Sequence, residues 1–278
     1  MLESCFATTK WDGSERIKLF DMRILLLSTY FSPDAAANGV LMANLAEDLR
    51  GMGHEITVIT TMPHYSENRI WEGYRGKLWR KEHKNGVDVY RLYFYVPTDK
   101  MRLESRALSY ATWNLSSLLC GILIRKHDLL FVPSPPLTCG LSAFLISRSR
   151  GIPFIYGVQD IFPDVAIRLG VLRGMQTIKT FKALEKFVYK KASAVSVISD
   201  SFKLNLLSKG VPESKVHVIP NFVDANFIQP LPRRNRFGTE IGLDAGLSGY
   251  YSNRISWLGS ALVLVNSSLW ISSSFNGV

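Results

Sequence analysis

Met22-Arg23-Ile24-Leu25-Leu26-Leu27-Ser28 is a short apolar run with no polar alternation inside it. A strand of this kind has both faces covered, as in a parallel sheet packed between helices. The pattern recurs along the chain, predicting further strands over 56–60, 87–92, 129–132, 154–158, 194–198 and 216–219. Between the first two lies an amphipathic segment, 40–52, whose Leu41, Leu45 and Leu49 share one face and which Gly51 and Gly53 stop. Ile178, Phe181, Leu184 and Val188 mark another helix ahead of the sixth strand. Strands alternating with helices give an α/β layout starting at Met22. The charged stretch 69–84 is expected to be solvated. Residues 1–21 show no sustained period and no run long enough for a secretory signal, so they are expected to form a disordered leader.

The 278 residues are 47% apolar and 20% charged, enough to bury a core and incompatible with a disordered or collagen-like chain. Thirty-three Lys and Arg against 23 Asp and Glu leave a formal charge of +10, which favours anionic partners. No recognition helix or basic-aromatic platform points to nucleic acid. Cys5, Cys120 and Cys139 are odd in number and widely spaced, so neither a disulfide framework nor a zinc site is suggested, and a cytoplasmic location is expected.

Ligands of open parallel sheets bind beyond the carboxyl ends of the strands, so the segments following each strand carry the chemistry. They are Tyr30-Phe31-Ser32-Pro33 with Asn38-Gly39, then Met62-Pro63-His64-Tyr65, then Pro133-Ser134-Pro135-Pro136. Gln159-Asp160-Ile161-Phe162-Pro163-Asp164, Ser199-Asp200-Ser201 and Pro220-Asn221-Phe222-Val223-Asp224 complete the set. Each also reads as an ordinary collection of turn formers; their convergence on one rim is what suggests a site. A dinucleotide site is excluded on detail. The first loop lacks G-x-G-x-x-G, and the second strand ends in Thr60-Thr61-Met62 with no acid for a ribose. The helix start at Gly39 and Val40 remains suited to an anion.

Met22–Ser28 with Tyr30-Phe31-Pro33, Asn38-Gly39-Val40, Leu45-Ala46 and Leu49, followed by Gly53-His54-Glu55-Ile56-Thr57-Val58-Ile59-Thr60, resembles the opening of a bacterial family-four, GT-B glycosyltransferase. Ile219-Pro220-Asn221-Phe222-Val223-Asp224 is similar to the hinge signature of that family. Pro133–Pro136 and Gln159–Pro163 resemble its colanic acid, exopolysaccharide and O-antigen branch. The resemblance runs from Met22 to about Leu243. It implies a Rossmann-like doubly wound parallel sheet over 22–225, the N-terminal half of a GT-B fold. It also implies retaining transfer from a nucleotide-sugar to a polyprenyl-diphosphate-linked oligosaccharide on the inner membrane face, with no metal or other cofactor.

On that resemblance Asp160 is the candidate catalytic group, receiving the acceptor hydroxyl; helix capping before Pro163 is the competing role. Asn38, Gly39, His64, Tyr65 and Ser134 are expected to bind substrate. Gly39 would permit close backbone approach, and Asn38 stands where the family often has a second glycine, as a residue tolerant of positive φ. Asn221 and Asp224 are expected to act as hinge residues. The donor half of the family pattern, with its Gly-rich turn and Glu-x7-Glu motif, does not appear after Leu243. Residues 226–278 are therefore expected to be a linker and an aberrant tail, as from a frameshift. A membrane anchor is the rival for the tail, which Asn266, Asn276 and many serines make a poor span. Activity then divides between a glycosyltransferase and a catalytically silent half that keeps acceptor or membrane binding.

The stretch 107–124 is free of charge and admits three readings: a span, a packed helix, or an apolar face docked on anionic lipid beside the basic residues of 69–84. Leu108, Ala111, Leu115, Leu118 and Ile122 at helical spacing favour the packed helix, with these residues facing the core.

Overall fold

The computed structural model describes residues 21–97 and 103–223, leaving aside the Leu103 side chain. The expected disordered leader, apart from Asp21, the expected aberrant tail and the position of Asp224 lie outside them. Eight strands form one sheet: β1 (Arg23–Leu27), β2 (Glu55–Thr61), β3 (Trp79–Lys84), β4 (Val87–Leu92), β5 (Leu129–Pro133), β6 (Phe154–Val158), β7 (Ala194–Val197) and β8 (Val216–Val218). Their order is β3-β4-β2-β1-β5-β6-β7-β8, and all neighbours are parallel except the β3–β4 pair. Every strand foreseen from its apolar run is present. The layout is a Rossmann-like α/β sheet with the change of direction between β1 and β5.

β3 is the strand that the sequence reading left in solvent. Its side chains are largely exposed, as expected of a charged run, yet its backbone pairs antiparallel with β4 from Trp79↔Leu92 to Lys84↔Val87. Asn85 and Gly86 close the hairpin with φ of 51° and 78°. A two-residue turn with both φ positive matches strand twist, and Asn-Gly is the pair that adopts it most readily. Charges on β3 also protect a sheet edge from pairing with other chains.

The sheet separates two cores. Ile24, Leu26, Ile56 and Val58 pack with Leu41, Met42 and Ala46 of α1 (Ala37–Gly51). On the other face Leu25, Leu27, Leu130 and Val132 meet residues of four further helices. These are α2 (Leu103–Leu123), α3 (Cys139–Arg150), α5 (Met175–Lys191) and α6 (Asp200–Ser208), while the short α4 (Asp164–Arg168) follows the β6 loop. Alternate residues of one strand thus serve opposite cores, as the period of two requires. The described residues up to Pro220 make one compact unit, and Asn221 lies outside it.

α2 corrects the expectation for 107–124. It is a helix packed on the sheet unit, but Leu108, Ala111 and Leu115 point to solvent, and the buried positions are Ser109, Trp113, Ser117 and Gly121. Trp113 fills the middle of this face, and where the neighbouring helix comes close only glycine fits: a Cβ at Gly121 would lie 2.5 Å from Cδ1 of Ile146. Asn114 supplies the polar tie, donating to Thr138 Oγ1 at 2.9 Å and accepting from Ser142 Oγ at 2.8 Å.

Candidate functional site

The rim is built first by side-chain hydroxyls that bond backbone carbonyls where each loop leaves its strand. Thr61 Oγ1 donates to the Thr29 carbonyl at 2.6 Å, joining the ends of β1 and β2, and Ser28 Oγ donates to the Tyr30 carbonyl at 2.7 Å. Asp34, only 2% exposed, then locks the two loops together. Its carboxylate accepts the His64 N–H at 3.1 Å from both oxygens and the Tyr65 N–H at 2.9 Å. Backbone donors aimed at one carboxylate form a strong, directional tie. Asp34 was missed from sequence, although Ser32-Pro33-Asp34 is the turn-like part of that loop.

The result is an aromatic cluster at the end of β2 and β1. Tyr30 stacks on His64 with ring centroids 5.4 Å apart, meets Tyr65 edge-on at 5.4 Å, and Phe94 closes the far side of His64 at 4.5 Å. His64 Nδ1 lies 2.9 Å from the Met62 carbonyl, which can only accept, so Nδ1 carries a hydrogen. Burial pushes the Tyr30 phenol well above its ordinary pKa. Aromatic faces beside hydrogen-bonding groups suit the apolar and polar faces of a sugar ring.

Gly39 stands beneath this cluster. A Cβ there would come within 3.2 Å of the Asp34 carbonyl and of Tyr30 Cβ, and 3.3 Å of the Phe31 nitrogen. The glycine therefore lets α1 approach the β1 loop. The helix begins at Ala37 rather than Val40, since the alanines at 35–37 favour helix. Asn38 and Gly39 consequently lie in its first turn. Asn38 has ordinary helical φ, contrary to the expected left-handed tolerance; Asn68 and Asn85 are the described non-glycine residues with positive φ. No side chain caps α1, and both amide atoms of Asn38 are buried without a hydrogen-bond partner. An uncapped N-terminus with an unsatisfied amide is suited to receive polar or anionic atoms.

Across the β1/β5 junction the rim continues through β5 and β6. Ser134 is 3% exposed, and its Oγ accepts the Gln159 N–H at 3.0 Å, with the Asp160 N–H at 3.5 Å. It ties the β6 loop to the β5 loop. Asp160 is partly buried, and that burial raises its carboxyl above the ordinary carboxylate range, with no cation contributing. It caps no helix: α4 starts after Pro163, with no side-chain cap. Behind the loop, Lys209 bridges Asp164 at 2.9 Å and the buried Glu185 at 2.6 Å, pinning α4 to α5 and α6. Among the described residues no cluster of His, Cys, Asp and Glu has the arrangement of metal ligands.

The structure thus brings Asn38, Gly39, His64 and Tyr65 together on the β1 and β2 loops, and Ser134 and Asp160 on the β5 and β6 loops of the same rim. Asn221 follows β8, just past the end of the compact unit.

The chain is 28% identical over 207 residues to the putative colanic acid biosynthesis glycosyl transferase WcaI of Escherichia coli (strain K12), matching 72% of this chain and 50% of WcaI. Among solved structures it is similar to Anabaena Alr3699/HepE in complex with UDP-glucose, at 14% identity and a TM-score of 0.49. The same protein with UDP gives 16% and 0.47, and each match covers 80% of this chain and 50% of the other. The chain spans about half the length of the relatives it matches. A family pattern described as a glycosyl transferase 4-like domain matches residues 39–221, from the first turn of α1 to the residue after Pro220, and the chain belongs to that family.

Proposed function

We propose that this chain supplies the acceptor-holding half of a retaining glycosyltransferase. The acceptor is a sugar hydroxyl on a polyprenyl-diphosphate-linked oligosaccharide of exopolysaccharide or O-antigen assembly, at the cytoplasmic face of the membrane. The donor is a nucleotide-sugar. In the transfer a bond forms between the acceptor oxygen and the anomeric carbon while the bond from that carbon to the diphosphate breaks, and the nucleoside diphosphate leaves with the electron pair. The acceptor proton must be drawn off as its oxygen attacks. Asp160 fits that task, because a carboxylate kept basic by burial, with no cation in attendance, is a better proton acceptor than a solvated one.

The observation that carries this reading is the shared rim. It offers the partly exposed Tyr30 and Tyr65, backed by the buried His64, for a sugar face, the Asn38 amide in the uncapped first turn of α1 for polar or anionic atoms, and the Asp160 carboxyl, all beyond the carboxyl ends of parallel strands. The +10 charge suits an acceptor that carries a diphosphate. The family membership and the likeness to WcaI support the reaction class. Asn221 and Asp224 are assigned to the hinge toward the donor-holding part.

The test is a titration of the purified chain with a polyprenyl-diphosphate-linked oligosaccharide in detergent, followed by addition of radiolabelled nucleotide-sugars. Saturable acceptor binding that weakens in His64→Ala and Asn38→Ala is expected. Equal binding by the chain and both variants, at matched folding, removes the assignment.

A further inference from the structure

α2 presents its oily side outward. Leu108, Leu115, Leu119 and Leu123 are 50–81% exposed, whereas Ser109 and Ser117 are buried. α3, held to α2 through Asn114, adds exposed Leu141 and Leu145. Water-facing leucines in such a row, with Ser109, Trp113, Ser117 and Gly121 on the buried side, put most of the large aliphatic side chains of the helix on the wrong face for an ordinary surface helix. Nothing in core packing accounts for them.

The next helix in the same layer supplies the charge. α5 packs on α3 through Phe144 and Phe187, with ring centroids 5.0 Å apart. It exposes Lys179, Lys182, Lys186 and Lys190 at spacings of three and four. Its one carboxylate, Glu185, is buried and engaged by Lys209 at 2.6 Å. α3 carries no acid and ends in Arg148 and Arg150. A leucine row on α2 and a lysine row on α5, separated by α3 and with no exposed carboxylate on α3 or α5, together suit apolar tails beneath anionic headgroups. A second copy of the same face would meet lysines with lysines. Crossing the bilayer is a different matter: among the described residues no helix is long and apolar enough.

We propose that the α2–α3–α5 layer is a docking face for an anionic lipid surface, with the α2 leucines entering the headgroup region and the α5 lysines above it. This replaces the basic stretch 69–84 as the electrostatic partner of α2, because α5 shares the layer and the stretch 69–84 includes the β3 edge strand. It stands apart from the transfer reading, since the lipids used below contain no sugar acceptor.

The full chain is sedimented with vesicles of phosphatidylcholine alone and of phosphatidylcholine mixed with phosphatidylglycerol. Binding to the mixed vesicles that falls with added salt is expected. Leu115→Glu with Leu119→Glu should lower that binding about tenfold or more, and Lys179→Gln with Lys186→Gln and Lys190→Gln should abolish its salt dependence. All these positions are exposed, so circular dichroism should be unchanged. Equal binding by parent and variants overturns the proposal. So does failure to bind vesicles combined with light scattering that shows a dimer dispersed by the leucine changes, which would assign the face to a second copy.

Discussion

The carboxylate of Asp34 holds the backbone N–H of His64 at 3.1 Å from each of its oxygens, and Nδ1 of the same histidine lies 3.6 Å from Oδ2. One buried acid from the β1 loop therefore sets the path of the β2 loop, and with it the aromatic stack. Asp34→Ala would leave the His64 and Tyr65 N–H groups without their acceptor. Hydrogen bonds to a charged group are worth about 1.5–3 kcal/mol each, so a loss near 3 kcal/mol is expected. Urea unfolding measures it, and Asp34→Asn, which keeps one oxygen, should lose less. An Asp34→Ala chain as stable as the parent would show that the tie is idle.

Gly39→Ala sets two effects against each other. Alanine gains about 1 kcal/mol of helix propensity, but its Cβ meets two backbone atoms and Tyr30 Cβ at 3.2–3.3 Å. Backbone cannot yield as a flexible side chain does, and overpacking costs about 1–3 kcal/mol. A net destabilisation of about 1 kcal/mol is expected, together with weaker acceptor binding as α1 shifts from the β1 loop. Stabilisation by the substitution would refute the close approach.

Asp160 carries a pH signature. Its carboxyl is raised by burial, so the folded chain binds this proton more tightly than the unfolded chain. Its contribution to stability is complete below the unfolded pKa and disappears as pH rises through the raised folded value. Asp160→Asn removes that dependence. Subtracting the unfolding free energies of parent and variant across the acid range isolates Asp160 from Glu185, whose carboxyl burial also raises. The variant should gain relative to the parent as pH rises, and parallel curves would contradict the burial. In a transfer assay with the donor-holding part supplied, the same variant should lose about a hundredfold or more in kcat.

Lys209→Met should be the costly change away from the rim. It strands Glu185, which is 4% exposed, with the Tyr189 hydroxyl at 3.2 Å as its remaining hydrogen bond, and frees Asp164. Breaking a buried pair from one side costs about 3–5 kcal/mol, and partial exposure of Lys209 and Asp164 puts the expectation near 3. Thermal unfolding tests it. A second change, Glu185→Gln in the Lys209→Met background, should recover part of the loss, because the stranded charge is gone.

The strands were legible because each is a local apolar run, and the rim loops because parallel strands put all their carboxyl ends on one edge. β3 was also written locally, in Asn85-Gly86, but its charged side chains masked a pairing that only the backbone makes. The α2 leucines were misassigned for a different reason. Helical spacing shows that residues share a face without saying which way the face points; Gly121 against Ile146 and Asn114 against Ser142 decided it. Asp34 and Ser134 could not be read as ties from sequence, because their partners are backbone N–H groups of other loops, and every residue but proline has one.

The amino-acid sequence alone determined that this chain is a mostly parallel α/β sheet and which segments lie at the carboxyl ends of its strands, since hydrophobic period and turn chemistry act over a few neighbouring residues. Only the tertiary structure decided which polar side chains on that rim are spent on holding loops, which helix face meets water, and that the leucine-bearing and lysine-bearing helices share one layer on the sheet. Those outcomes depend on distances between segments far apart in the chain, where close packing leaves room for small residues and none for large ones.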